Sequence, residues 1–265
     1  MARQASDPEA PAVAVLGLGE AGSAIAAGLV DRGLTVTGWD PRGAGGVDGV
    51  SAATDAASAV EASSVVVSLN SATVAVGVAR EVSGALTEQM LFADMNTAAP
   101  SVKRAVAEAA APAQFADVAL VAPVPGAGLA TPALVSGPGA ARFAALFGPL
   151  GMPVTEVGAE PGAAAARKLA RSVFAKGTAA AIGEALEAAR RLGCEDWLYH
   201  DIAQTLEGAD RALLDRWIQG SRTHAARRAE EMDAAAQLLS EAGVEPRVAR
   251  ATEAWLRELM EEETR

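Results

Sequence analysis

The first chemistry in the chain lies in three glycines and a carboxylate. Residues 13 to 40 begin Val-Ala-Val-Leu-Gly-Leu-Gly-Glu-Ala-Gly and end Trp-Asp, so Gly17, Gly19 and Gly22 fit Gly-x-Gly-x-x-Gly. The motif follows an apolar strand and opens an alanine-rich helix. Asp40 falls 23 residues after Gly17, where an acid meets a ribose diol. Gly17 permits the tight turn, Gly19 lets the backbone approach a pyrophosphate, and Gly22 lets the helix pack close to the strand. Leu18, Glu20 and Ala21 complete the turn, and the helix N-terminus presents N–H groups and a positive dipole end to phosphate. An Asp40 that accepts both ribose hydroxyls repels a 2′-phosphate and indicates NAD. Arg42, two residues on, has the chemistry to bind that phosphate and leaves NADP open.

Further polar residues sit where ligands bind in parallel sheets. Asn70 and Ser71 follow the strand Val65–Leu69, and Asn96 and Thr97 follow Leu91–Met95. Lys168 lies in an alanine-rich helical stretch and shares a face with Arg171 and Ser172. A lysine with a cationic neighbour in partly buried surroundings has its neutral form favoured, as a general base requires. The same pattern also describes a solvated helix face. Lys176 is two turns further on, about 12 Å along the axis, and is a second candidate to meet an anionic group. His224, Arg227, Arg228 and Glu231 fall at i, i+3, i+4 and i+7 and continue as Ala235 and Leu238. A polar stripe that turns apolar reads as half buried, either lining a site or forming ion pairs at a subunit contact.

These residues need elements to hold them. Near-continuous apolar runs at Ala12–Leu16, Thr35–Trp39, Val65–Leu69 and Leu91–Met95 read as buried parallel strands, with more near Gln114–Ala119, Ala133–Ser136 and Pro153–Val157. Helices are expected at Gly22–Arg32, Ala53–Glu61 and Val74–Ser83. The alternation predicts a Rossmann-type, right-handed doubly wound parallel sheet over residues 1–160. Residues 161–265 then read as all-helical: one long helix over 162–192 stopped by Gly193, followed by Cys194–Glu207, Asp210–Ile218, Ser221–Ala242 and Pro246–Glu262. The fold class is therefore α/β with an all-α C-terminal domain. A long helix with little core around it predicts a homodimer.

Composition removes several function classes. The 265 residues carry a formal charge of −11 and no basic block, which argues against a nucleic-acid partner. The one cysteine, Cys194, rules out an internal disulfide framework, and two histidines, His200 and His224, are too few and too far apart for a zinc motif, so no metal is expected. Met1–Pro11 is polar without a hydrophobic signal core, and glycines with Glu20 interrupt the apolar stretch from Ala12 to Val30, so no membrane partner and a cytoplasmic location are expected.

In order and spacing, the glycine motif, Val65-Val-Val-Ser-Leu-Asn70, Phe92-Ala-Asp-Met-Asn-Thr-Ala-Ala-Pro100, Asp117-Val-Ala-Leu-Val-Ala-Pro-Val, Leu134-Val-Ser-Gly-Pro-Gly and Gly162-x5-Lys168 resemble the β-hydroxyacid dehydrogenases. That family includes 3-hydroxyisobutyrate and 6-phosphogluconate dehydrogenases. The phrases Gly-Glu-Ala-Gly, Arg-Ser-Val-Phe-Ala-Lys-Gly and His-Ala-Ala-Arg-Arg-Ala-Glu-Glu-Met resemble a subgroup with its own short C-terminal domain. The resemblance implies an NAD(P)-dependent oxidoreductase acting on a hydroxyl-bearing carbon of a small polar or anionic substrate, with Lys168 as acid/base. Arg171, Ser172, Lys176, His224, Arg228 and Glu231 are then candidate substrate contacts. Two departures point to a changed substrate. Leu120-Val-Ala stands where the family holds a carboxylate with Ser-Gly-Gly, and Arg171 and Ser172 stand where it places an Asn after the lysine. An imine reductase, a class that shares this architecture, is a second reading, although Lys168 weighs against it. A non-catalytic NAD(P)-binding scaffold or regulatory protein is a third.

Overall fold

A computed structural model describes residues 11–43 and 46–262. Apart from Pro11, the polar start of the chain lies outside the described residues. Among the described residues eight strands form one sheet: β1 (Val13–Leu16), β2 (Val36–Trp39), β3 (Val50–Ala52), β4 (Val65–Ser68), β5 (Leu91–Asp94), β6 (Gln114–Leu120), β7 (Ala133–Ser136) and β8 (Val154–Glu156), in the order β3-β2-β1-β4-β5-β6-β7-β8. The helices of this half are α1 (Glu20–Asp31), α2 (Ala56–Glu61), α3 (Ala75–Val82), α4 (Pro100–Ala109) and α5 (Ala140–Phe147).

Side chains alternate between two apolar layers. Val13 and Val15 join Ile25, Leu29, Val67 and Phe143 on one face. Ala14 and Leu16 join Val60, Val66, Val78, Phe92 and Val106 on the other. Covered on both faces, the strands carry the unbroken apolar runs seen in the sequence.

The sheet is parallel as expected, with one antiparallel pairing. β1 to β6 are mutually parallel, but β7 runs antiparallel to β6, and β8 follows β7. A parallel return needs a crossover long enough to recross the sheet. The segment between β6 and β7 holds one short 3₁₀ turn, Gly128–Ala130, and hairpins back instead.

Register decides what the sheet presents at its carboxyl edge. Trp39, Leu16, Ser68, Asp94, Asp117 and Ser136 are consecutive cross-strand partners. The residues just beyond them, including Gly17, Asp40, Leu69 and Met95, therefore emerge side by side.

The remaining helices are α6 (Ala163–Leu192), α7 (Glu195–Glu207), α8 (Arg211–Thr223), α9 (Ala225–Glu241) and α10 (Arg247–Glu262). Gly193, with φ of 75°, ends the 30-residue α6 as expected. The chain divides into a unit up to Arg171 and a unit from Ser172. This boundary lies inside α6, whereas the sequence pattern changes at its start. The first turns of α6 are bound to sheet residues: Asp117 accepts hydrogen bonds from the Gly162 and Ala165 amides. Within the second unit, α9 pairs with α10, and Glu184 of α6 accepts the Val248 and Ala249 amides near the start of α10.

Candidate active site

The glycine turn is tightly built. Gly17 has φ of 103°, and a Cβ on it would lie 2.3 Å from the Leu69 carbonyl oxygen. A Cβ on Gly22 would lie 1.9 Å from the Gly17 carbonyl oxygen. Gly19 is different: a Cβ there meets only the Arg42 guanidinium, at 3.7 Å, so the space above this backbone is open. Gly19 is also the N-cap of α1, and no side chain caps the helix. A phosphate fits this cradle, which offers amide donors, open approach and the positive helix end together.

Asp40 closes the other side. Its Oδ2 accepts the Leu18 amide at 3.0 Å, tying the end of β2 to the turn. Its Oδ1 accepts the Arg42 amide and Arg42 Nε, at 3.0 and 3.1 Å. The Arg42 side chain holds the Asp40 carboxyl below the ordinary carboxylate range, helped by the Arg42 and Leu18 amides and opposed by burial. A cleft of about 470 Å³ runs from Gly17, Gly19, Asp40 and Arg42 to Leu69, Asn70 and Ser71.

A second cleft, about 350 Å³, shares Leu69, Asn70 and Ser71 and extends to Asn96, Thr97, Leu120, Ala122, Val124 and Lys168. Lys168 Nζ donates to Thr97 Oγ1 at 2.7 Å. Asn96 is buried, and its Oδ1 accepts the Asn70 amide at 2.6 Å. Both asparagine Nδ2 groups donate to Ser68 Oγ. Asn70 Oδ1 is buried and has no partner among the described residues, which leaves an acceptor for a bound molecule. Arg171 donates to the Val121 carbonyl and so braces the Leu120–Ala122 segment.

Comparisons with known proteins fit this geometry. Residues 12–140 match the NAD binding domain of 6-phosphogluconate dehydrogenase, and residues 189–259 match a domain of unknown function, DUF1932. A conserved hypothetical protein from Sinorhizobium meliloti 1021 is 30% identical; the match covers 93% of this chain and 87% of that one, with a TM-score of 0.63. This chain belongs to the 6-phosphogluconate dehydrogenase-like superfamily. Another superfamily relative, a conserved protein of unknown function described as structurally similar to 3-hydroxyacid dehydrogenases, is 27% identical over 94% of this chain and 98% of its own, with a TM-score of 0.62. An imine reductase from Myxococcus stipitatus, solved with NADP+, has a TM-score of 0.78 at 22% identity over 95% of each chain, which is a likeness of fold. A search of curated proteins found no match.

The first unit thus brings Asn70, Ser71, Asn96, Thr97 and Lys168 into one cleft, which shares Asn70 and Ser71 with the cleft at the glycine turn and Asp40. Ser172 and Lys176 fall in the second unit, half-buried and exposed respectively, on α6. The His224 stripe departs from the expected single helix. His224 is the joint where α8 ends and α9 begins, with φ −123° and ψ 29°, although its carbonyl still accepts the Arg228 amide at 3.0 Å. The stripe is not half buried within the chain either. Arg227 and Glu231 form an exposed ion pair, and Leu238 is 45% exposed. The buried face of α9 is Ala225, Ala229, Ala236 and Leu239. Arg228 is half-buried, donates to Ser221 Oγ at 2.9 Å and packs over Gly220. Among the described residues no helix is long and apolar enough to cross a membrane, and no group of three His, Cys, Asp or Glu side chains is disposed to hold a metal.

Among the buried polar residues that went unread in the sequence are Ser68, which holds both asparagines, Asp94, Lys103, Asp117 and Ser136. Lys103 occupies the face of α4 that also buries Val106, so a lysine in an apolar helical phase was the available signal.

Proposed function

We propose that this protein is an NAD-dependent oxidoreductase that moves a hydride between nicotinamide and a hydroxyl-bearing carbon of a small polar substrate, with Lys168 as acid/base. The observation that carries the reading is Lys168 Nζ on Thr97, in a cleft that shares Leu69, Asn70 and Ser71 with the cleft at the glycine turn. Bound along these clefts, the dinucleotide supplies or receives the hydride. Gly17, Gly19 and the start of α1 would hold its phosphates, and Asp40 would take the ribose diol. Asp40 favours NAD over NADP. Arg42, exposed and folded back onto Asp40, is the group through which NADP would be accepted.

Lys168 carries the proton. When a carbonyl is reduced, its ammonium donates to the oxygen as the carbon gains hydride. When an alcohol is oxidised, the neutral amine takes the hydroxyl proton. Thr97 receives the Lys168 hydrogen bond and so holds the amine in the cleft. Leu120, Ala122 and Val124 line the same cleft with apolar groups. They offer no hydroxyl to a substrate carboxylate there, which supports a substrate with an apolar portion at that end.

The same apolar segment, together with the fold likeness to imine reductases, favours carbon–nitrogen double-bond reduction as a second reading. The test is to follow nicotinamide absorbance over panels of hydroxy acids, aldehydes and ketones, and cyclic imines, with the wild type and Lys168→Ala. Turnover of an alcohol–carbonyl pair that is lost in Lys168→Ala supports the first reading. Turnover confined to imines supports the second, and tight NADH binding without turnover on any panel overturns both.

Assembly as a homodimer belongs to the same proposal. Val173 and Phe174 on α6 are 76% and 68% exposed, and Trp197 and Tyr199 on α7 are 67% and 61% exposed. Apolar surface of this extent on the second unit supports burial against a second copy.

A further inference from the structure

Asp94, at the end of β5, and Asp117, in the middle of β6, are direct cross-strand partners, and both are fully buried. Like charges in that position repel, and burial makes the repulsion worse unless a cation joins them. Lys103 is that cation. It is also fully buried, with Nζ 3.0 Å from Asp94 Oδ2 and 3.2 Å from Asp117 Oδ1, and it donates to the Asp94 carbonyl at 2.8 Å.

Each aspartate then leads to one end of the Lys168–Thr97 hydrogen bond. Asp94 Oδ1 accepts the Asn96 amide and side chain, fixing the segment that carries Thr97. Asp117 Oδ2 accepts the Gly162 and Ala165 amides, both at 3.0 Å, and the Ser136 hydroxyl at 3.2 Å. Ser136 in turn accepts the Ala164 amide. Together they fix where α6 starts, and Lys168 is three residues beyond Ala165. The starts of the two helices also touch: a Cβ on Gly162 would lie 2.9 Å from Pro100 Cβ, at the head of the helix that carries Lys103. The connections close a ring that runs from Lys103 through Asp94, Asn96 and Thr97 to Lys168, and back along α6 through Asp117.

We propose that Lys103 is a positioning residue for the reactive amine: one buried ammonium anchors both partners of the Lys168–Thr97 hydrogen bond. The proposal rests on the reading of Lys168 as acid/base, but its geometry can be tested without substrate. A purely structural triad would affect stability while leaving the surroundings of Lys168 unchanged in any variant that folds.

The test is competitive acetylation with trace acetic anhydride across a pH series, read by mass spectrometry, with the exposed Lys176 on the same helix as internal reference. Lys103→Met is compared with the wild type and with Lys103→Met/Asp94→Asn/Asp117→Asn. The triple variant removes all three buried charges, keeps acceptor oxygens at both positions, and retains the comparison should the single variant fail to fold. NADH affinity is measured alongside to show that each variant still forms its cofactor cleft. The expected result is a Lys168-to-Lys176 labelling ratio at least about threefold above wild type, with a displaced pH midpoint for Lys168, in every variant that folds. A wild-type ratio and midpoint in the folded triple variant would overturn the proposal. Full activity in Lys168→Ala would instead remove the acid/base reading and leave the labelling result standing.

Discussion

Gly19 and Gly22 are three residues apart in one motif, yet the structure assigns them different tasks, which a pair of variants separates. At Gly22 an added Cβ would sit 1.9 Å from a backbone oxygen, so β1, the turn or α1 must shift. Overpacking of this kind costs about 1–3 kcal/mol, and a backbone-on-backbone clash belongs at the upper end. At roughly 2–4 °C per kcal/mol for a unit of this size, Gly22→Ala should lower Tm by about 6–12 °C. At Gly19 the backbone is extended, with φ −68° and ψ −170°, and the nearest obstacle is a mobile guanidinium 3.7 Å away. Gly19→Val should therefore stay within about 1 kcal/mol of wild-type stability, the loss reflecting a poorer cap. Its side chain would fill the space through which a pyrophosphate reaches the amides, and NADH affinity should fall by at least roughly tenfold, about 1.4 kcal/mol. Differential scanning calorimetry and NADH fluorescence titration on the same samples decide the matter. A stable Gly22→Ala, or a Gly19→Val that binds NADH normally, would refute the reasoning.

Other consequences are as direct. Lys168→Ala should bind NADH normally and lose turnover by roughly 10²–10⁴-fold, and Lys168→Arg should not rescue it, because a guanidinium stays protonated. The Asp40 pKa is depressed in the folded protein, so the stability this group contributes is present above its unfolded value and lost as pH falls through the folded one. NADH affinity should accordingly hold from about pH 8 to about pH 5 and fail only near and below an ordinary carboxylate value of about 3.9, with Arg42→Ala moving the onset upward; titrations along a pH series measure this, and an onset near neutrality contradicts it. Light scattering should give about twice the mass of one chain, with Phe174→Glu shifting it toward the monomer. A wild-type protein that stays monomeric at micromolar concentration would count against assembly through the second unit.

What the sequence disclosed followed from how local each constraint was. Gly17 and Gly22 answer steric demands at the turn, Gly19 keeps the approach to it open, and Asp40 is tied to the turn through the Leu18 amide, so their spacing located them. The central strands were readable because both faces of the sheet are covered, while the three-residue edge strand β3, mostly exposed, was not read. Nor was the direction of β7, since an apolar run has the same pattern whichever way the chain travels. α4 escaped notice because its buried face includes Lys103, a residue that ordinarily marks the solvent side, and its role depends on two aspartates from other strands. On α9 the largest apolar residue of the expected stripe, Leu238, is exposed, while alanines make up most of the buried face. Side-chain size was a poor guide there, and the joint at His224 divides what read as one helix.

The central claim is that Lys168 stands where hydride transfer takes place, and a crystal structure with NADH bound tests it most directly. A near-attack gap of about 3–3.5 Å and a hydrogen bond of about 3 Å from amine to substrate put nicotinamide C4 within about 7 Å of Lys168 Nζ. The account predicts that distance, with the adenosine ribose at Asp40. A nicotinamide ring more than about 10 Å from Lys168 in the bound structure would contradict it.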